Sequence, residues 1–365
     1  MNFKPLSENA IARAPKAVLH EHLDGGLRPQ TLIDLAREIN HPLPADEPTA
    51  LADWFYKAAN SGSLEQYLTT FSHTIAVLQK RDHCFRVASE AVQDLAADGV
   101  VYAELRYAPE QQLQGGMTLG EVVEATTAGF AEGERLAKKA GHTITTGTIL
   151  CGMRHADRVK EIAELAVAYR DKGVVGFDIA GAEIDHPAEN HLDAFEYLRR
   201  ECMPFTIHAG ESAGAPSIYG AVALCGAERI GHGVRIMDDI DLTGDEPKLG
   251  RLATYVRDRR IVLEVCPSSN LQTGAAHSIG THPVGRLRDL GFRVTVNNDN
   301  RLMSRTRTSR EFHLLSEAFG WGWTEIERCT RDALEASFLP YPERRRLIDE
   351  VVLPAYEELE AEHAA

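Results

Sequence analysis

The sequence predicts an α/β fold: a closed parallel (β/α)8 TIM barrel with a helical lid insertion after the first strand and extra C-terminal helices. Eight short apolar, β-branched runs recur along the chain, and stretches of helical periodicity separate most of them. No G-x-G-x-x-G motif follows the first run, which disfavours an open dinucleotide-binding sheet. The chain has 365 residues, 44% of them hydrophobic, so we expect one domain over residues 1–365 with one large core.

The predicted elements follow one another in a regular order. The strands are expected at residues 17–24, 100–107, 143–150, 174–180, 204–208, 228–232, 261–266 and 292–296. Residues from about 41 to 98 contain several helical pieces instead of a second strand, which predicts a lid over the barrel mouth. Other helices are expected between the strands at 30–38, 119–140, 158–169 and 192–200, and after them at 311–319, 325–337 and 343–362.

The charge pattern excludes several classes of partner. The formal net charge is −15 with histidines neutral, and no Lys/Arg run is long enough to follow a phosphate backbone. Nucleic acid and anionic membranes are therefore poor partners. No apolar run approaches the roughly 20 residues of a membrane span, and residues 1–10 lack the apolar core of a signal peptide, so we expect a cytoplasmic protein. The pattern does not indicate an oligomeric state.

Four side chains at the ends of predicted strands have the chemistry of a metal site. His20 and His22 are two residues apart on the first strand, so both point to the same side. His208 ends the fifth predicted strand and Asp299 follows the last one. The carboxyl ends of barrel strands meet at one rim, where such barrels carry their chemistry. Three imidazoles and one carboxylate suit zinc and leave a position for water, whose pKa falls toward about 7 when bound.

Two further side chains near this rim can transfer or direct protons. Glu211 lies three residues after His208, where a carboxylic acid with a raised pKa can give a proton to a substrate. His232 ends the next strand and can orient a hydroxide or stabilise developing charge. Asp299 can accept a hydrogen bond from the same hydroxide. The alternative for Glu211 is a structural role, as a carboxylate that stabilises a helix N-terminus.

One apolar face in the insertion has two interpretations. The four residues share a side at helical spacing, and the pattern alone favours a buried core face: Leu64, Tyr67, Leu68 and Phe71. A hydrophobic gate over the barrel mouth is the alternative.

Taken in order, these motifs resemble the adenosine deaminase family of the amidohydrolase superfamily. The resemblance covers nearly the whole chain through LHEHLDG (19–25), GVVYAELRYAP (99–109), VVGFDIAG (174–181), HAGE (208–211), GHG (231–233), EVCPS (264–268) and NND (297–299). It implies that one zinc is held by His20, His22, His208 and Asp299. It also implies that Glu211 protonates purine N1 and that His232 assists hydroxide attack at C6.

The resemblance further implies a purine nucleoside pocket. Asp24 would face the ribose 5′-hydroxyl, the backbone N–H of Gly181 would face purine N3, and the helix carrying Leu64 would gate the pocket. Many family members have a second aspartate at the position of Asn300, where it bonds purine N7. An amide can donate to N7 at any pH, so we expect Asn300 to take this role. The fourth strand ends without the Lys or Glu that bridges two metals, which favours a single metal.

Several functions remain open at this point. The leading expectation is zinc-dependent hydrolytic deamination of adenosine and 2′-deoxyadenosine in purine salvage. The same chemistry on adenine or aminodeoxyfutalosine is the nearest alternative, and a nucleoside monophosphate is disfavoured because Asp24 would face its phosphate. A non-catalytic binding protein, or a superfamily hydrolase of amides, esters or phosphoesters, are alternatives from other classes.

Overall fold

The computed structural model describes residues 4–364. Its strands in chain order are β1 Lys16–His22, β2 Val100–Tyr107, β3 Thr145–Met153, β4 Val174–Ala180, β5 Thr206–Ala209, β6 Arg229–His232, β7 Ile240–Asp241, β8 Lys248–Leu249, β9 Val262–Val265 and β10 Val294–Val296. Eight of them form two parallel four-stranded sheets, ordered β1-β2-β3-β4 and β5-β6-β9-β10. Parallel bridges between Glu21 and Asp299 and between Phe177 and Phe205 join the two sheets at both seams. The eight strands therefore close into a barrel, and the predicted fold class is confirmed.

The predicted strands agree closely with those of the barrel. The predictions at 100–107 and 174–180 coincide with β2 and β4, whereas the predicted strands at 204–208 and 292–296 begin two residues before β5 and β10. The short antiparallel pair β7 and β8 was not predicted. It lies in the connection between β6 and β9 and takes no part in the barrel.

Helices cover the outside of the barrel and its mouth. Those before β5 are α1 Glu8–Arg13, α2 Pro29–Glu38, α3 Pro48–Ala59, α4 Leu64–Leu68, α5 Phe71–Val77, α6 Arg81–Ala97, α7 Leu119–Lys139, α8 Val159–Ala168 and α9 Leu192–Arg200. Those after it are α10 Ala215–Tyr219, α11 Arg251–Asp258, α12 Pro267–Gln272, α13 Pro283–Asp289, α14 Arg301–Ser304, α15 Thr308–Phe319, α16 Trp323–Ala336, α17 Tyr341–Leu347 and α18 Leu353–Ala364. Within residues 4–364, no helix is long and apolar enough to cross a bilayer.

Two helical predictions need correction. The apolar face predicted at 64–71 from helical spacing does not lie on one helix, because α4 ends at Leu68 and α5 begins at Phe71. A hydrogen bond from the Thr70 hydroxyl to the carbonyl of Tyr67 lies at this break, and hydroxyl bonds of this kind compete with the helical pattern. The predicted helix 343–362 is divided into α17 and α18 by a π-helical segment at Ile348–Val352.

The inside of the barrel holds a buried network of charges below its mouth. Arg106 donates to Asp178 at 2.7 Å and to Glu264 at 2.9 Å, and all three side chains are fully buried. Arg229 donates to Glu264 at 2.7 Å and to Glu104 at 2.5 Å. Buried charges of this kind need good pairing to offset the cost of leaving water. The network holds Asp178 and Glu264 just beneath the rim where the candidate site lies.

Apolar side chains from nearly every helix and barrel strand form one connected core around this network. A small satellite of Ala108, Cys151 and Ala180 lies at the mouth. This continuity supports our proposal that the chain forms a single domain, with the helices between β1 and β2 as an insertion in it.

Candidate active site

The four predicted metal ligands meet at the carboxyl ends of the barrel strands. His20 and His22 end β1, His208 lies on β5, and Asp299 follows β10. The Nε2 atoms of His22 and His208 are 3.2 Å apart, and Asp299 Oδ1 lies 3.4 Å from the Nε2 atoms of both His20 and His22. All four side chains are buried or nearly so. Residues up to 279 positions apart in the chain are thus brought to one point.

This cluster has the chemistry of a cation site. Two imidazole Nε2 atoms face each other, and His20 Nε2 has no hydrogen-bond partner among the described residues. A cation can accept all of these lone pairs at once, whereas a hydrogen bond between His22 and His208 would still leave His20 Nε2 without a partner. His20, His208, His232 and Asp299 can also offer ligand atoms that all lie within 4.8 Å of one another. His22 and His232 therefore both lie close enough to act as the third imidazole, and distance alone does not choose between them.

Buried carboxylates orient two of these imidazoles from behind. His20 Nδ1 donates to Glu264 Oε2 at 3.0 Å, and His208 Nδ1 lies 2.8 Å from Asp178 Oδ2. Burial opposes ionisation of Glu264, but the Arg106 guanidinium holds the pKa of this carboxyl well below its usual range. Ligating histidines commonly have such a partner, which leaves Nε2 free for the metal. Burial also lowers the pKa of His22 and His208, so both can offer lone pairs at pH 7.

The carboxylate of Asp299 is held in place by a neighbouring helix and by its own backbone. Ser269 of α12 donates its hydroxyl to Asp299 Oδ2 at 2.6 Å, which turns Oδ1 toward the histidines. Asp299 has a φ of 60° and His232 a φ of 63°, in the left-handed region that non-glycine residues seldom adopt. Such backbone strain concentrates at functional sites. It places both side chains over the barrel mouth at the ends of their strands.

Glu211 lies beside the cluster without being part of it. Its Oε1 accepts a hydrogen bond from the Thr273 hydroxyl at 2.9 Å, and its Oε2 lies 3.5 Å from His232 Nε2. Burial, the negative charge of Asp299 and that of Glu183 raise the pKa of Glu211 well above its usual value. The side chain is therefore a buried carboxylic acid that can give up a proton to a ligand in the pocket.

The loop that carries Glu211 is wrapped around another carboxylate, Glu183. Four backbone N–H groups donate to Glu183, from Gly210 at 2.5 Å, Glu211 at 3.1 Å, Ser212 at 2.7 Å and Ala213 at 2.9 Å. The hydroxyls of residues 212 and 217 donate as well. Glu183 was not predicted from the sequence. The available signal was an acidic residue two positions after Gly181 at the end of a strand.

Other residues that shape the site were also missed. Asp178 and Glu264 were quoted only as parts of motifs, although an acidic residue inside an apolar strand is itself a signal of a buried function. Ser269 and Thr273 lie on α12 or just after it, and nothing in the local pattern distinguishes them from solvent-facing hydroxyls.

The cluster lies at the floor of a largely apolar cavity of about 260 Å³. All four residues of the predicted apolar face line it: Leu64, Tyr67, Leu68 and Phe71. Leu64 and Tyr67 are buried and the other two are partly exposed, so the face covers the pocket as well as contributing to the core. The Tyr67 hydroxyl, on the pocket side of α4, finds no hydrogen-bond partner within residues 4–364.

Three polar positions predicted to contact a ligand also line this cavity. Burial, together with the nearby Asp299 carboxylate, raises the pKa of Asp24 to about 7. Gly181 has a φ of 105°, which a side chain would strain. Asn300 is buried against Gly25, where a Cβ atom would lie 1.8 Å from Asn300 Oδ1, so glycine is required there. The predicted site residues therefore line one pocket, apart from His20, which is fully buried in the cluster at its floor.

Comparison with known proteins agrees with this geometry. A family model described as "Adenosine deaminase" matches residues 15–354. Adenosine deaminase 1 of Streptomyces coelicolor is 59% identical over 361 residues, covering 98% of this chain and 91% of that protein. Adenosine deaminase of Mycobacteroides abscessus is 58% identical over 349 residues, covering 95% of this chain and 96% of that protein.

A solved structure shows the same fold. It is a cog1816 amidohydrolase from Burkholderia ambifaria with bound Zn, which superimposes with a TM-score of 0.83 at 21% identity and covers 100% of this chain and 97% of that one. The family predicted from the motifs is confirmed: the chain belongs to the adenosine deaminase family of metal-dependent amidohydrolases.

Proposed function

We propose that the protein catalyses the hydrolytic deamination of adenosine and 2′-deoxyadenosine to inosine and 2′-deoxyinosine. Water adds to C6 of the purine, the bond from C6 to the amino nitrogen breaks, and ammonia leaves. The observation that carries this proposal is a buried carboxylic acid, Glu211, next to a cluster of three imidazoles and a carboxylate at the floor of an apolar pocket. The names of the relatives that are more than half identical to this chain support the substrate.

The donor set fits one zinc ion per chain, held by His20, His22, His208 and Asp299. Imidazole nitrogen and carboxylate oxygen are ligands that zinc accepts in catalytic sites. Zinc supplies hydroxide at neutral pH by lowering the pKa of water to about 7. The opposed Nε2 atoms of His22 and His208, 3.2 Å apart, support this assignment.

The remaining polar groups divide the proton transfers between them. Glu211 gives its proton to purine N1, which makes C6 more electrophilic, and it can then take a proton from the water that has added to C6 and pass it to the departing amino group. His232, 3.5 Å from Glu211, stabilises negative charge on the oxygen that adds to C6. Asp299 accepts a hydrogen bond from the attacking water while Ser269 holds its other oxygen.

The pocket walls favour a nucleoside. Asp24 contacts the ribose 5′-hydroxyl, the backbone N–H of Gly181 contacts purine N3, and Asn300 donates its amide to N7. The α4 and α5 residues Leu64, Tyr67, Leu68 and Phe71 cover the bound purine. Adenine and aminodeoxyfutalosine are the alternative substrates, because both present the same 6-aminopurine to the metal and to Glu211.

A substrate panel tests the proposal directly. Purified enzyme is given adenosine, 2′-deoxyadenosine, adenine, AMP and aminodeoxyfutalosine, and deamination is followed by the change in ultraviolet absorbance and by released ammonia. We expect kcat/KM to be highest for the two nucleosides. A higher value for adenine or for aminodeoxyfutalosine would reassign the substrate, and no turnover of any 6-aminopurine would refute deamination.

The role of Asn300 has its own test. Asn300→Ala should raise KM for adenosine by roughly tenfold, because one buried hydrogen bond is worth about 1 kcal/mol or more when its partner is left unpaired. The matched control is 7-deazaadenosine, which has no N7 acceptor and should lose little between the two enzymes. Equal losses on both substrates would show that Asn300 does not recognise N7.

A further inference from the structure

Two buried side chains lie behind His232 and take no part in the chemistry described so far. Asn270 is in α12 and is fully buried, and His282 is the N-cap residue of α13 and is 2% exposed. The amide of Asn270 lies between the two imidazole rings. The three side chains therefore form a line that leads from a helix end to the reaction centre.

The position of the proton on His282 follows from its contacts. The backbone N–H of Val284 donates to His282 Nδ1 at 3.1 Å, so this nitrogen carries a lone pair. Burial lowers the pKa of His282 to about 3, and the ring is neutral at pH 7. Its single proton is therefore on Nε2, which lies 3.3 Å from Asn270 Oδ1 and donates to it.

The position of the proton on His232 follows from its contact with Asn270. Because Asn270 Oδ1 accepts from His282, its Nδ2 group must be the donor on the other side, and it lies 3.1 Å from His232 Nδ1. A proton on His232 Nδ1 would place two N–H donors against each other in a fully buried position, where neither has an acceptor. The lone pair of His232 is therefore on Nδ1 and its proton on Nε2, the nitrogen 3.5 Å from Glu211 Oε2.

We propose that His282 and Asn270 are positioning residues that hold the proton of His232 on Nε2, so that this imidazole faces the reaction centre as a hydrogen-bond donor and not as a metal ligand. The backbone N–H of Val284 can only donate, so it fixes the direction of the hydrogen bond from His282 to Asn270 and of the one from Asn270 to His232. The proposal rests on the proposed function only for its kinetic consequences.

This arrangement explains how three neighbouring imidazoles serve different purposes. His20 and His208 have the carboxylates of Glu264 and Asp178 beside Nδ1, so each imidazole keeps its proton on Nδ1 and leaves the lone pair of Nε2 free for a cation. His232 has an amide donor beside Nδ1, so its lone pair is on Nδ1 and its proton is on Nε2. Without Asn270 in this orientation, His232 Nε2 could also present a lone pair to the cluster of His20, His208 and Asp299, all within 4.8 Å of one another.

The experiment reverses the direction of the last bond. Asn270→Asp replaces the amide donor with a carboxylate acceptor of the same shape, so the proton of His232 should move to Nδ1. The metal-loaded enzyme, labelled with 15N at histidine, is studied by long-range 1H–15N spectra, which report which ring nitrogen is protonated. A His232→Asn sample assigns the signals. We expect the wild-type enzyme to have its proton on Nε2 and the Asn270→Asp enzyme on Nδ1.

Kinetics and metal content are measured on the same samples. With a bare Nε2, kcat for adenosine should fall about 100-fold, the scale on which one transition-state donor acts, while KM changes much less. The matched control is Gln272→Glu, at another buried amide of α12, which donates to the Met303 carbonyl and makes no hydrogen bond to His232 among the described side chains. Its His232 signals should be those of the wild type.

A second variant keeps the proposal testable if Asn270→Asp does not fold. His282→Asn retains a side-chain acceptor for the N-cap but is too short to hold Asn270, so both tautomers of His232 should appear and kcat should fall by a smaller factor. A wild-type His232 protonated on Nδ1, or a tautomer unchanged in both variants, would overturn the proposal. If the tautomer changes as expected but no purine nucleoside is deaminated, the proposed function fails and the positioning role stands.

Discussion

Replacing Glu183 with glutamine tests whether the loop around this carboxylate positions Glu211. The carboxylate accepts four backbone N–H groups and two hydroxyls, and Oε2 accepts four of these six bonds. In Glu183→Gln we expect the amide oxygen to occupy the place of Oε2. The new NH2 group then faces the N–H of Gly210, which donated to Oε1 at 2.5 Å.

The size of the effect can be worked out from these bonds. One buried N–H loses its acceptor, at a cost of about 1–3 kcal/mol, and the remaining bonds lose the strengthening that a full charge provides. The easier burial of a neutral amide offsets part of this loss. We expect the free energy of unfolding to fall by about 3 kcal/mol, measured by urea denaturation at equilibrium.

Activity should fall as well, because the N–H of Glu211 is one of the four backbone donors. A shift of about 1 Å in a catalytic group can lower the rate on the order of 100-fold, so kcat for adenosine should fall by about that factor. The pH profile of kcat/KM is an independent test of the charge on Glu183. The negative charge of Glu183 helps to raise the pKa of Glu211, so its removal lowers that pKa. The protonated acid is then lost at lower pH, and the alkaline limb of kcat/KM should move to lower pH.

The matched control is Glu47→Gln, which removes the charge from an exposed carboxylate that accepts the N–H groups of Thr49 and Ala50 at the start of α3. Its unfolding free energy and its kcat should stay close to those of the wild type, because an exposed amide oxygen can still accept from the first turn of the helix. If Glu183→Gln has the kcat and the unfolding free energy of the wild type, the loop does not depend on Glu183 and the reasoning is wrong.

Three further predictions concern the metal and the acid. His208→Ala should purify with less than one equivalent of zinc by elemental analysis, and a full equivalent would contradict the ligand assignment. Asp178→Asn should weaken zinc binding by about 10- to 100-fold in competition with a chelator, because the imidazole of His208 loses the carboxylate 2.8 Å behind it; unchanged affinity would remove Asp178 from this role. Glu211→Ala should keep its metal and its fold but lose about 100-fold or more in kcat, and a near-normal rate would exclude Glu211 from the proton path.

The barrel and the ligand positions could be predicted because their signals are local. A strand places His20 and His22 on the same side whatever the rest of the chain does, and alternating strand and helix patterns imply a parallel barrel. The carboxyl ends of such strands meet at one rim, which brings His208 and Asp299 to the same place. Asn300 was identified through the family resemblance and the apolar face at 64–71 from its helical spacing, although the break between α4 and α5 was not predicted.

The sequence by itself therefore determined which residues reach the barrel mouth. Only the tertiary structure decided what each of them can do there, because the protonation and direction of a buried side chain depend on partners from distant parts of the chain. Glu264 determines which nitrogen of His20 is protonated, and Asn270 does the same for His232. Glu183 accepts the backbone N–H of Glu211 and so fixes the position of that acid. These pairs are separated by between 28 and 244 positions, so no local pattern announces them. The physical reason is that a hydrogen bond in a dry interior has a donor side and an acceptor side, and the fold alone determines which neighbour lies on each.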